Sequence, residues 1–539
     1  MHRWIVNLRG VGLAACLAAV VWGSASLPAL AVELAAQGWS EADRNWTYNA
    51  PQGSRMIPWD WFLALEQPHG QELFRELDYL VGFQYLRPQN ADENPWGLPI
   101  GFVRDANAAG VAYLGLTCLA CHTRELQSGE QTLRIDGAPA DASFFDFANA
   151  LRQALERTLH EPAKFARFAR RVLGGAYAPE KATSLRSEVQ DFTNRFSALL
   201  ARSRSPVPYG YGRLDAFGIL LNEIVGTGLG LPENYRPAAA PVSYPHLWGA
   251  PDHTWVQWNG ASEDPLARNI GEVLGVFGEL RVTAMATQTS ANLENLHALE
   301  EHIKRIQSPP WPSAWRAIDR AQAARGQRHY EQHCQSCHAT PPPPKLPPNA
   351  YGRQLVDVRL VPVSELHTDP QAAQSFLVRR AKTGPLESEL GAQDELPVAL
   401  VLAAAVRRVM LTEFFRLGLT PAEQLDYRDQ REFASGLPAH LQSPFYKARS
   451  LEGIWATSPY LHNGSVPTLY DLLLPAKDRP EVFKVGSRVF DAERVGLRTD
   501  QGLETFDTKQ SGNANSGHEY GAGLTVVERE ELLEYLKTL

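Results

Sequence analysis

The pattern of apolar and polar positions divides the chain into stretches of very different character. Residues 32–115 are rich in Trp, Pro and Gly and carry little long periodicity. Pro51-Gln52-Gly53-Ser54, Pro58-Trp59-Asp60-Trp61-Phe62 and Asn94-Pro95-Trp96-Gly97-Leu98-Pro99 read as turns with aromatic anchors, a stretch that wraps a core. Trp61 to Leu65 reads as a short helix. Phe144, Phe147, Leu151 and Leu155 then fall at helical spacing behind Ser143, a residue suited to capping. Beyond Pro162 the spacing repeats in Phe165, Phe168 and Val172. Residues 183–203 read as a polar helix and 210–218 as a glycine-punctuated loop. Residues 290–306 form an amphipathic helix through Leu296, Leu299, Ile303 and Ile306. Ser308-Pro309-Pro310-Trp311-Pro312 ends it and reads as a domain boundary. In the second half, residues 324–333 and 397–417 read as helices. Thr525 and Glu528 form a capping box ahead of Leu532, Leu533, Leu536 and Leu539. The expectation is a mostly α chain of two domains with long loop-rich insertions and an N-terminal wrapping extension.

Composition leaves that picture in place and adds an address. The chain has 539 residues, 44% hydrophobic and 21% charged, with a formal charge of −8, which is ordinary for a globular protein. His2, Arg3 and Arg9 precede an apolar run at 11–21, and Ala29-Leu30-Ala31 fits a small-x-small cleavage site. Residues 1–31 are therefore read as a signal peptide, and Cys16, in a short lipoprotein-like run, as removed with it. Removal leaves 50 basic and 60 acidic residues, a charge of −10. An acidic chain is a poor partner for nucleic acid or anionic membranes. No later segment is long and apolar enough to cross a membrane. The expected location is periplasmic or secreted.

The chemistry concentrates in one repeated motif. Cys118-Leu119-Ala120-Cys121-His122 returns as Cys334-Gln335-Ser336-Cys337-His338. C-x-x-C-H is the attachment signature of c-type haem. Two neighbouring thiols bond one porphyrin, and the adjacent His lies under the iron. A redox dithiol, a zinc site or a disulfide does not explain a His directly after both pairs. The two motifs take all four cysteines that remain after Cys16 is removed. The cofactors expected are two covalently bound haem c groups, with Cys118, Cys121, Cys334 and Cys337 as attachment points and His122 and His338 as proximal ligands. Calcium is possible in principle, but no ligand cluster compels it. Such motifs usually open or close a helix. Beyond the signal only Met56, Met285 and Met410 could supply a sulfur ligand, and Met410 sits mid-helix among core residues. His462 and His518, the latter in a Gly/Asn loop, are the better candidates near a second axial position. Trp248, Trp255 and Trp258 crowd into one short span, where a haem edge would supply apolar surroundings. The proline-rich run 341–348 reads as a stiff surface loop beside the second motif.

These residues resemble a known family. The two motifs, Gln257-Trp258-Asn259-Gly260 and Pro459-Tyr460-Leu461-His462-Asn463-Gly464 resemble the bacterial dihaem cytochrome c peroxidase superfamily, which includes the tryptophan-tryptophylquinone-forming dihaem enzyme. Residues 51–67, 94–103, 242–258, 454–469 and 512–521 are similar to the dihaem rubber oxygenase group. The resemblance implies that His122 serves a reactive first haem, open on its far side, and that His338 and His518 close a second, electron-carrying haem. It implies that Trp258 bridges the two, that His462 lies near them without ligating, and that Glu272 moves a proton beside the first haem. The long stretch between His122 and Trp258 departs from simple peroxidases and suits a larger pocket. The implied domains are 32–310 and 311–539. The implied function is reduction of peroxide at the first haem, with electrons relayed through the second. The partners would be a small oxidant, peroxide or O₂, together with an electron donor or a hydrophobic substrate. Oxidative cleavage of a polyisoprenoid-like hydrocarbon is the second reading. A non-catalytic electron-transfer cytochrome is the third.

Overall fold

The computed structural model describes residues 32–431 and 443–539. The proposed signal segment and Cys16 lie outside the described residues. Helix accounts for 40% of the structure and strand for 15%, so α structure dominates as the periodicity predicts. No helix among the described residues is long and apolar enough to cross a membrane.

The largest departure from expectation surrounds the first motif. It neither opens nor closes an α-helix. Two small sheets flank it instead. Ala112–Leu116 pairs with both Phe102–Ala106 and Ile57–Pro58, while Thr123–Ser128 pairs with Gln131–Asp136, which also takes Val32–Leu34 in parallel. Alternation failed as a signal here because charged residues occupy inward positions. Arg124 and Arg134 are each 1% exposed. Each meets carboxylates at 2.8–2.9 Å: Asp141 for Arg124, Glu93 and Glu125 for Arg134. A buried cation is tolerable only when paired in this way.

Three helices, Phe144–His160, Pro162–Leu173 and Pro179–Arg202, pack beyond the sheets. Their Phe147, Phe168 and Phe196 share a core with Phe62, Phe74 and Phe102. The loop expected at 210–218 gives way at Ala216–Leu221 to a helix, because Asp215 accepts a bond from the Gly218 N–H at 2.7 Å and caps it. Pro265–Gly275 is a helix capped by Asp264. Leu293–Ile303, capped by Asn292, runs beside it.

In the second half, Arg320–His333 crosses the last helix, Val526–Leu536, whose Thr525–Glu528 capping box forms as predicted. Gly326 marks the crossing: a Cβ there would stand 1.9 Å from the Glu531 carbonyl oxygen. Met410 is buried in the core of Val398–Leu417 beside Phe414, and Met285 is 94% exposed. One core cluster gathers Tyr48 and Ile135 with Trp311, Trp455 and Leu532. Apolar packing therefore runs between residues on both sides of the proline-rich stretch at 308–312.

Candidate functional site

The first motif forms a tight turn. The Cys121 and His122 N–H groups donate to the Cys118 carbonyl at 3.1 and 3.0 Å. Gly101 permits the approach of the chain behind it, since a Cβ would lie 2.4 Å from the Ala120 nitrogen, and its φ of +81° suits glycine. His122 Nδ1 donates to the Pro245 carbonyl at 2.8 Å. A carbonyl can only accept, so Nδ1 carries the proton and Nε2 keeps its lone pair. This is the arrangement of a metal-binding imidazole. Burial pulls His122 down to about 4 and pushes the Cys121 thiol up to about 12. The cavity it faces has a volume of about 140 Å³ and is lined by Cys118, Cys121, Phe144, Phe217, Leu220 and Val276.

The second motif follows the helix Arg320–His333 directly. His338 Nδ1 donates to the Arg449 carbonyl at 2.7 Å, and Tyr330 Oη donates to the His338 carbonyl at 2.6 Å. The imidazole again offers Nε2. Its cavity measures about 210 Å³ and includes Cys334, Cys337, Leu366, Leu473 and Leu536 in its walls.

His518 enters this second cavity opposite His338. Gly517, at φ +73°, has no room for a Cβ, which would lie 2.3 Å from the Leu366 carbonyl oxygen. The His518 N–H donates to that same carbonyl at 2.9 Å, and Arg479 binds the Asn515 and Gly517 carbonyls. The sharp turn directs the ring inward, 6.2 Å centroid to centroid from His338. A metal held by two imidazole nitrogens at about 2 Å each sets ring centres about 6 Å apart. His518 Nδ1 lacks a hydrogen-bond partner. Burial, with His338 beside it, lowers its pKa to about 3.

Trp258 lines both cavities. Its indole N–H donates to the Ser243 carbonyl at 2.9 Å, and its own carbonyl accepts from the Lys447 N–H at 2.9 Å. The preceding Gln257 adopts φ +70°, an uncommon conformation for that residue. Gln257 donates to Glu272 Oε1 at 2.8 Å, and Arg268 lies 3.9 Å from the same oxygen. Glu272 sits on the wall of the first cavity. Its side chain is 37% exposed and lines both this cavity and a further space that reaches Cys118 and His122. Burial raises its carboxyl above the usual value, against Arg268 and Gln257, with Glu300 adding to the rise. His462 stacks on Tyr446 at 4.1 Å and lines the second cavity, and burial lowers it to about 3.

Two observations fit haem c. Each cavity pairs a C-x-x-C-H turn with an imidazole whose Nδ1 is already engaged. Gln52 Nε2, Ser243 Oγ, Tyr244 Oη and Asn259 Oδ1 are buried without partners, and all four residues line the first cavity. Buried polar atoms are normally satisfied, so orphans here point to an occupant. Among the described residues, no group of three or more His, Cys, Asp and Glu side chains converges as a metal-ion cage would require.

The sequence did not single out Ser243, Arg268, Tyr446, Lys447 or Arg449. Lys447 and Arg449 sit on the wall shared by the second cavity and a third space that reaches Cys118 and His122. Burial depresses both, Lys447 well below the usual lysine range and Arg449 to about 9, with Arg268 adding repulsion. Nothing in Lys447-Ala448-Arg449 separates it from a surface strand until the fold is known.

A family model described as RoxA-like, cytochrome c-like matches residues 445–484, the segment that holds Tyr446, Lys447, Arg449 and His462. The uncharacterized protein y4iJ of Sinorhizobium fredii (strain NBRC 101917 / NGR234) is 33% identical over 572 residues, covering 93% of this chain and 92% of its own length. The uncharacterized protein y4iM of the same strain is 25% identical over 326 residues, covering 56% of this chain and 65% of its own.

Proposed function

Because the chain belongs to the family of y4iJ and carries a RoxA-like, cytochrome c-like segment, we propose that it is an exported dihaem c-type oxidoreductase. Its two haem domains would span 32–310 and 311–539, and residues 1–31 would direct it to the periplasm. Bound haem c supplies a redox-active iron to each cavity. Cys118, Cys121 and His122 would hold one group, and Cys334, Cys337, His338 and His518 the other; with two imidazoles engaged, the second site would suit electron transfer alone.

The first site is the reactive one, and peroxide is its substrate. Glu272 carries this reading: it is a carboxylate on the cavity wall, oriented by Gln257 and made more basic by burial. It takes a proton from one peroxide oxygen and returns it to the other as the O–O bond breaks. Trp258, on the wall of both cavities, provides the path for electrons from the second site. The electron donor is a reduced protein or small molecule outside the chain. In the test, Glu272→Gln keeps the Gln257 contact and loses the titrating proton. Peroxide turnover with a reduced cytochrome donor should fall by about 10²–10⁴-fold. Full activity in that variant removes Glu272 from the mechanism.

A second reading has its own support. Phe144, Phe217, Leu220 and Val276 make the first cavity apolar, and the matched segment is RoxA-like. Oxygen-dependent cleavage of a polyisoprenoid-like hydrocarbon would use such walls. Oxygen uptake with a polyisoprene emulsion and no peroxide decides for it.

A further inference from the structure

Arg449 is a buried cation and Lys447 a half-buried one, and both lack a carboxylate. The Lys447 ammonium donates to the Trp255 carbonyl at 3.1 Å, and Arg449 Nη2 to the His246 carbonyl at 2.7 Å. Arg449 Nε has no partner, although the residue is only 7% exposed. Neither residue has a carboxylate oxygen within ion-pair distance among the described residues. Arg379 shares the unpartnered Nε and the missing carboxylate, but it lines neither cavity nor the space between them; Arg124, Arg134 and Arg213 differ. Arg124 and Arg134 meet carboxylates. Arg213 spends its N–H groups on the Tyr209, Pro208 and Asn463 carbonyls and the Asn513 side chain. Holding two cations in a low-dielectric interior with most of their donors unused is unfavourable unless an anion joins them.

Their position says which anion. Both line the second cavity, with Cys334 and His338, and the space that reaches Cys118 and His122. Arg268 lines that second space too, already paired with Glu300. The backbone ties the segment to both sites: the Lys447 N–H binds the Trp258 carbonyl, and the Arg449 carbonyl receives His338 Nδ1. A haem fixed through thioethers at one edge turns its propionate carboxylates to the opposite edge.

We propose that Lys447 and Arg449 form a carboxylate clamp on the wall between the second cavity and the space that reaches Cys118 and His122, and that it takes the haem propionates. The inference rests on the dihaem reading. The clamp gives the cations the partners the protein withholds. It fixes both groups relative to Trp258. It also places positive charge beside them, which favours the reduced state, because reduction removes one positive charge from the iron.

The test uses the holoprotein and two readouts other than turnover. In Lys447→Met and Arg449→Met, the resonance Raman propionate-bending band of at least one haem should shift. The reduction equilibrium of that haem should also fall about tenfold, 59 mV for one electron. Lys447→Arg should restore both. Should Lys447→Met not accumulate with haem, Lys447→Gln carries the same readouts. Variants that bind two haems with unchanged band and potential overturn the clamp. So does a wild-type potential that responds to added succinate while the Raman band is unmoved by mutation, which would assign the cations to a free carboxylate. A pyridine haemochrome count below two in the wild type defeats the dihaem reading itself, a separate outcome.

Discussion

Gly326 offers a sharp test of the packing in the second half. It lies where Arg320–His333 crosses Val526–Leu536, the pair that delivers Cys334. Replacing it with Ala adds one methyl group. In a free helix that change stabilises by about 1 kcal/mol. Here the new Cβ would stand 1.9 Å from the Glu531 carbonyl oxygen, 2.5 Å from its carbonyl carbon and 2.9 Å from the Leu532 nitrogen. Backbone cannot swing aside as a flexible side chain can, so the helices must separate. The tilted ring pair Tyr330 and Tyr535, at 5.2 Å, packs with the buried Leu532 and Leu533 in the same core cluster. An opening of about 0.5–1 Å already forfeits a quarter to a half of each dispersion contact, and overpacking of this kind costs about 1–3 kcal/mol. Set against the propensity gain, Gly326→Ala should destabilise the second half by up to about 2 kcal/mol. Guanidinium denaturation followed by far-ultraviolet circular dichroism would read this as a lower midpoint. A midpoint equal to or above the wild type refutes the close crossing.

Two further outcomes follow from the site. His518→Ala should convert the second haem from low-spin to high-spin in the oxidised absorption spectrum, and an unchanged spectrum assigns its axial position to another residue. Glu272→Gln should also change stability in a pH-dependent way. Burial raises the folded-state pKa of Glu272 above the usual carboxyl value. The stability tied to its protonated form is complete below that usual value and is lost as pH rises through the raised one. The Gln variant should therefore match the wild type in thermal midpoint near pH 4 and exceed it near pH 8. A difference that stays constant over this range would mean that Glu272 does not titrate abnormally.

The parts of the fold that were legible are those where one face is apolar at helical spacing. Leu296, Leu299 and Ile303 announced Leu293–Ile303, and Thr525 with Glu528 announced the last helix. The sheets around Cys118 were not legible. Their inward positions hold Arg124, Glu125, Arg134 and Asp136, which read as surface until their partners are known. At the site, the C-x-x-C-H spacing marked both Cys–His turns, and the Gly/Asn loop marked His518, whose ring lines the second cavity. Carbonyl partners such as Pro245 and Arg449 left no trace, since any residue can supply a backbone oxygen. Lys447 and Arg449 stayed hidden because their burial comes from segments some 200 residues away in sequence, through Trp255 and His246.

The seam between the halves is stitched by main-chain bonds. The Ser243 N–H meets the His462 carbonyl, the Gln127 N–H meets the Arg488 carbonyl, and Arg213 holds both the Asn463 carbonyl and Asn513. Those loops also carry His462 and His518 into the second cavity. Separating the chain at the proline-rich stretch near residue 310 would therefore strip these buried donors and acceptors of their partners, and neither half alone should keep its pocket closed.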